Sequence, residues 1–163
     1  MGAMSGVLVF VPCSPERALA LSDGESFASC QAFAVTPSLL RALDLTPADD
    51  EDAEYGCMLL ASVWGLAQYG TRLVLVAEVP QGQVGEGDDA DNGGVRVSGL
   101  RLGHVQSFFT DEAGQSLVAE ASRAVEGLGL DEAWETDEVQ QLMRGTSLLW
   151  HSVEELARLG KDV

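Results

Sequence analysis

Asp49-Asp50-Glu51-Asp52-Ala53-Glu54-Tyr55-Gly56-Cys57-Met58-Leu59-Leu60-Ala61-Ser62-Val63-Trp64-Gly65-Leu66-Ala67-Gln68-Tyr69 is the stretch on which the fold turns. Its first six positions hold five carboxylates. Acidic side chains are favoured in a first helical turn, where they meet the positive end of the backbone dipole. The later positions Tyr55, Met58, Leu59, Leu60, Val63, Trp64, Leu66 and Tyr69 are apolar nearly all round a 3.6-residue period, and such a helix must be covered on most sides. The spacing predicts a buried central helix over about 48–69, started by Thr46-Pro47-Ala48-Asp49 and closed by Gly70. The uncharged run Tyr55–Thr71 is 17 residues long and contains Gly56, Ser62, Gly65, Gln68 and Gly70. It falls short of the ~20 apolar residues a bilayer requires, so it reads as a core helix rather than a membrane span.

On either side lie strands that would cover this helix. Val7–Val11 is a continuous β-branched run, and Arg72–Val79 is the clearest strand in the chain. Gln31–Val35 reads as another. Ser14-Pro15 and Thr36-Pro37 each place a capping hydroxyl before a proline at the first helical position, predicting a short helix that stops near Asp23-Gly24 and another that carries Leu39, Leu40 and Leu43. Val95–Leu102 alternates as a half-exposed strand, with a bulge expected at Gly99, and His104–Phe109 continues extended. Thr110 or Asp111 is expected to cap a helix running through Leu117–Val125 and closed by Gly127–Gly129, and a further helix is expected over 136–143. Ser147–His151 is ambiguous by itself, and Leu148–His151 reads as a last strand more readily than as a helix interior. Ser152-Val153-Glu154-Glu155 has the form of a capping box opening a short final helix that stops at Gly160.

Between Pro80 and Gly94 the chain holds five glycines and four acids without periodicity, and 81–94 reads as a flexible acidic loop. The first residues read as an addition ahead of a natural start at Met4, and 1–5 are set aside from the fold. No repeat of 20–50 residues is present. The expectation is a single α+β domain over 6–160, with a mixed sheet around the buried helix.

Composition narrows function more than it names it. The 163 residues include 26 acidic and 9 basic side chains, for a net charge of −17, and 46% are hydrophobic. That apolar fraction excludes a disordered acidic chain. The charge opposes direct binding to nucleic acid or anionic membranes, which need clustered Lys and Arg. With no basic segment ahead of the first apolar run, the expected location is the cytosol.

Three cysteines, Cys13, Cys30 and Cys57, form no CxxC pair and sit among apolar neighbours, so they read as reduced, buried fillers. His104 and His151 fall on separate strands and belong to no nucleophile signature. Asp88-Asp89-Ala90-Asp91-Asn92-Gly93 fails as a calcium loop, because its third position is Ala90 and its twelfth Gly99. Phosphate-binding glycine loops, HExxH and GxSxG are absent from the sequence. No residue is assigned a catalytic, cofactor-binding or metal-binding role. The acidic cluster 49–54 reads first as a solvated helix start rather than as a site.

Several segments together resemble a known family: Val7–Pro12, Ala32-Phe33-Ala34-Val35-Thr36-Pro37, Glu54–Met58, Arg72–Pro80, Leu148-Leu149-Trp150-His151 and Glu154-Glu155-Leu156. The pattern is similar to an uncharacterised actinobacterial domain of unknown function found in small acidic proteins, and it covers most of 7–159. His151 stands where that family usually has Tyr, and the 81–94 insert is longer and more acidic than is usual there. The resemblance implies no assigned activity, so it carries no site residue with it.

The favoured expectation is a non-enzymatic interaction or regulatory protein whose partner is a basic protein surface. An enzyme using a Cys, His and carboxylate site is the alternative, followed by an acidic mimic of nucleic acid.

Overall fold

β1 (Gly6–Pro12) and β3 (Val74–Pro80) are apolar at almost every position because both faces of these strands are covered. In the computed structural model, which describes residues 6–159, they pair antiparallel along their whole length, from Gly6 opposite Pro80 to Pro12 opposite Val74. With β2 (Phe27–Phe33), β4 (Val84–Glu86), β5 (Gly94–Leu100), β6 (Val105–Thr110) and β7 (Leu149–Ser152) they form one seven-stranded sheet in the order β4-β5-β2-β1-β3-β6-β7. Every pairing in it is antiparallel. The α+β class therefore stands, while the mixed sheet expected from sequence is replaced by an antiparallel one. α1 between β1 and β2, and α4 to α6 between β6 and β7, return the chain antiparallel to its neighbour, whereas α2 and α3 carry it from β2 across β1 to β3, which runs the same way as β2.

The sheet divides the apolar residues into two cores. Val9, Val11, Leu75, Ala77 and Val97 point to the face covered by α1 (Pro15–Ser22) and a 3-10 helix (Val153–Arg158), through Ala18, Leu21 and Leu156. Phe10, Phe33, Val74 and Val76 point to the other face, covered by α2 (Pro37–Leu43), α3 (Asp50–Tyr69), α4 (Ser116–Val125), α5 (Leu130–Trp134) and α6 (Asp137–Gly145). α3 is the principal helix of that layer. Leu60, Ala61, Val63 and Leu66 are each at most 5% exposed, and full burial of an aliphatic side chain is favourable by roughly 1.5–3 kcal/mol. At Gly65 a Cβ would lie 3.1 Å from Pro12, so the missing side chain sets how closely α3 approaches β1.

α3 is thus central to one face only, and its opposite side meets solvent. Tyr55, taken in the sequence as part of an all-round apolar surface, is 61% exposed.

Several boundaries differ from the sequence expectations. α3 begins at Asp50, and Thr46 does not cap it: the Asp49 carboxylate instead accepts from the Thr46 amide at 2.8 Å and its hydroxyl at 3.1 Å. β2 covers Phe27–Phe33 rather than 31–35, because pairing with β5 holds its early polar residues. Gly99 has φ +68°, yet the β2–β5 register runs on unbroken past it. The observed irregularity lies between Val76 and Ala77, opposite β6. α4 starts at Ser116, since Asp111 is engaged elsewhere, and α5 was not anticipated. The last helix is 3-10 in form, with the expected bond from the Ser152 amide to Glu155 Oε2 at 3.0 Å. The expected stop at Gly160 and the 1–5 start lie outside the described residues.

The 81–94 segment is not a featureless loop. It carries β4, which pairs with β5 at the sheet edge, between short 3-10 turns at Gln81–Gln83 and Ala90–Asn92. The buried Gln31 amide clamps its far end, donating to the Asp88 carbonyl at 2.7 Å and accepting from the Asp88 amide at 3.0 Å. Gly94 is required there, because a Cβ would collide with the Asp88 carbonyl.

Candidate functional site

The first two turns of α3 stand over β1, β3, β6 and β7 without closing on them. A groove of about 320 Å³ results, floored by Leu8, Phe10, Met58, Val76, Ser107 and Phe109. Glu51, Glu54 and Tyr55 of α3 form one wall, and Trp150 of the edge strand β7 forms the other. Trp150 is opposite Phe109 in the β6–β7 ladder and is 61% exposed, as is Tyr55. Two aromatic side chains thus face solvent over a buried apolar floor, where a soluble chain ordinarily keeps such area covered.

A second hollow of about 210 Å³ shares Tyr55, Met58 and Phe109 with the first and extends it toward α6, past Met143 and Leu148. Its inner end is fixed by Arg72, which is 1% exposed. Arg72 Nε donates to Asp111 Oδ2 at 2.9 Å, and Nη2 donates to Asp111 Oδ1 and, at 2.8 Å, to Thr146 Oγ1. Thr146 Oγ1 in turn donates to the Leu142 carbonyl at 2.6 Å. One guanidinium therefore ties the entry to β3, the exit from β6 and the end of α6. A forked pair of this kind is both stronger and more directional than a single ionic contact.

The residues weighed from sequence are distributed differently. Asp50, Glu51, Asp52 and Glu54 are exposed, and Glu51 and Glu54 edge the groove. Among the described residues, no group of three or more His, Cys, Asp and Glu side chains is arranged to hold a metal ion. Cys13 and Cys57 are buried, whereas Cys30, expected to be a buried filler, is only partly covered. Burial raises the thiols of Cys13 to about 12 and Cys30 to about 11, and raises Cys57 further, with Glu54 adding to it. All three are therefore protonated at neutral pH, which removes the thiolate that nucleophilic chemistry requires.

His104 is not on a strand but in the 3-10 turn Leu102–His104, where its Nδ1 accepts from the Arg101 amide at 3.1 Å. Burial, with the Arg101 charge beside it, lowers its pKa. His151 lies on β7, stacked on Phe108 with ring centroids 5.0 Å apart, and its Nδ1 is 3.5 Å from Glu155 Oε2. The Ser152 amide, and secondarily His151, hold Glu155 below the usual carboxylate range. These two residues line a hollow with Asp111, Glu112 and Arg158 that contains no cysteine. The structure therefore does not bring Cys, His and carboxylate together there.

Sequence reasoning missed Tyr55 and Trp150 as surface features, because exposure of an aromatic residue leaves no mark in local pattern. The Glu-Tyr spacing was visible, but the strand that completes the groove is nearly a hundred residues away in the chain.

Residues 7–159 match a family described as a family of unknown function, DUF6912. The chain belongs to that family. No curated protein and no solved structure matches it at a significant level. Membership of DUF6912 covers nearly the whole chain, including both walls of the groove, and assigns no activity to it. Among the described residues, no helix is long and apolar enough to cross a membrane.

Proposed function

We propose that this chain is a non-enzymatic interaction protein of the cytosol, and that its groove takes a segment of a basic protein partner in which an apolar side chain is flanked by Lys or Arg. The observation that carries this reading is the pairing of exposed Tyr55 and Trp150 over an apolar floor, with Glu51 and Glu54 on the rim. Aromatic anchors set in a pocket dominate binding energy at protein interfaces. Rim carboxylates steer the approach of a cationic partner and discriminate against an acidic one. A second copy of this chain is a poor occupant, since each would bring a net charge of −17 to the contact. Clustering of the carboxylates beside an apolar floor favours this reading over imitation of a phosphate row. The excess of Arg over Lys, with Lys161 the sole lysine, supports a high-GC actinobacterial source.

Fluorescence anisotropy with synthetic peptides tests the proposal. Peptides presenting Leu or Trp between Lys or Arg residues should bind, and the same peptides with Glu in the flanks should not. Trp150→Ala should weaken binding by about 2 kcal/mol or more, roughly thirtyfold. Glu51→Gln with Glu54→Gln should weaken it less and flatten its salt dependence. Equal binding of acid-flanked peptides, or indifference to Trp150→Ala, would refute the proposal.

A further inference from the structure

β1 and β2 are neighbours at the centre of the sheet, yet they pair only at Phe10 and Phe33. Beyond that pair the strands part, and a cleft of about 180 Å³ opens at the seam. Cys13 at the end of β1 and Cys30 on β2 sit at its base, and Trp64 and Tyr69 of α3 form one side. Arg17 of α1 and Arg96 of β5 also line it. No carboxylate lines this cleft, although the chain has 26 acidic residues against 9 basic ones.

The two arginines are held without acids. The Arg17 guanidinium lies over the Phe27 ring, 4.3 Å from its centroid, and Arg96 Nη1 donates to Ser29 Oγ at 3.0 Å. Neither forms a salt bridge with any described residue, in contrast to the forked pair of Arg72 with Asp111. Both guanidiniums also act on the same groups: the charges of Arg17 and Arg96 each pull down on the Cys30 thiol and the Tyr69 hydroxyl.

Two fixed guanidiniums with no anion to share are a ready receptor for a planar or tetrahedral oxyanion, which each can engage through a fork of N–H donors. Ser29 and Tyr69 supply further hydroxyl donors, and the aromatic walls suit a small organic body. We infer that the Arg17–Arg96 cleft is a binding site for a small oxyanion-bearing molecule, a phosphate ester or a carboxylic acid. It is separate from the acid-rimmed groove, so either can hold when the other fails.

The test is an NMR titration of the full chain with inorganic phosphate and, separately, with succinate, sodium chloride keeping ionic strength constant. Side-chain resonances of Arg17 and Arg96 and the Trp64 indole should shift saturably. Arg96→Gln and Arg17→Gln should each weaken binding about tenfold or more, while Arg123→Gln on α4 should leave it unchanged. If Arg17→Gln disturbs the fold through loss of its contact with Phe27, Arg17→Lys keeps the charge, removes the fork and should still weaken binding. Response to phosphate alone assigns a phosphate ligand, and response to succinate alone a carboxylate. No saturable shift with either probe, or shifts spread over all arginines and insensitive to Arg96→Gln, overturns the inference.

Discussion

Arg72 and the pair Arg17–Arg96 are the same residue type in two regions with opposite electrostatic logic. Arg72 is removed from water, and its charge is answered by Asp111 and Thr146. Arg17 and Arg96 are exposed and answered by a ring and a hydroxyl. Burial forces the first to find a carboxylate, since an unpaired charge in the interior is severely penalised. Exposure lets the other two remain available. The contrast shows that a net charge of −17 does not describe the local field at any one cleft.

The sharpest way to break this comparison is to remove the buried guanidinium. Arg72→Ala should destabilise the fold by about 3–5 kcal/mol, because Asp111 is left without a partner where it is largely covered. Arg72→Met combined with Asp111→Asn should recover part of that loss, which urea denaturation would measure. Equal stability of Arg72→Ala and the parent would mean that the pair is not the staple its geometry indicates.

A smaller effect separates the cysteines of the two regions. In the fold all three thiols are raised above the ordinary 9.0, so between that value and the folded value the native state holds protons that the unfolded chain has released. Their contribution is complete below pH 9.0 and is lost as pH rises. The slope approaches about 1.4 kcal/mol per pH unit for each fully buried thiol. Cys30, eased by its arginines, should leave this regime first, near pH 11. Cys57→Ala should make the alkaline decline in the denaturation midpoint shallower. A midpoint unchanged on raising the pH past 9.0 would contradict this linkage.

The smallest effect is the complement of the first. Arg96→Gln should change folding stability by no more than about 0.5 kcal/mol, as expected for an exposed side chain without an ion pair. A loss comparable to that of Arg72→Ala would show that Arg96 is structural, and the distinction between the two regions would fall.

Much of the frame was legible in the chain. Ser14 and Thr36 cap their helices as the Ser-Pro and Thr-Pro pairs imply, each accepting from the amide three residues on, at 3.3 and 3.1 Å. The Glu155 bond to the Ser152 amide is likewise the local one expected. Thr46-Pro47 carried the same signature and did not cap α3: the helix starts later, at Asp50, and the Thr46 hydroxyl accepts from the nearer Ala48 amide at 3.3 Å while donating to Asp49. The 81–94 stretch misled for a different reason: the order of a Gly- and Asp-rich segment comes from pairing to β5 and from the distant Gln31 amide, which composition does not record.

The sequence by itself determined the helix after the acidic cluster, the two largely buried strands and the α+β class, because each follows from periodicity and caps within a few residues. Only the tertiary structure decided which apolar side chains stay exposed, which arginine meets a carboxylate and where β1 parts from β2. Those depend on contacts between residues far apart in the chain, whose desolvation and charge are set by neighbours that no local pattern names.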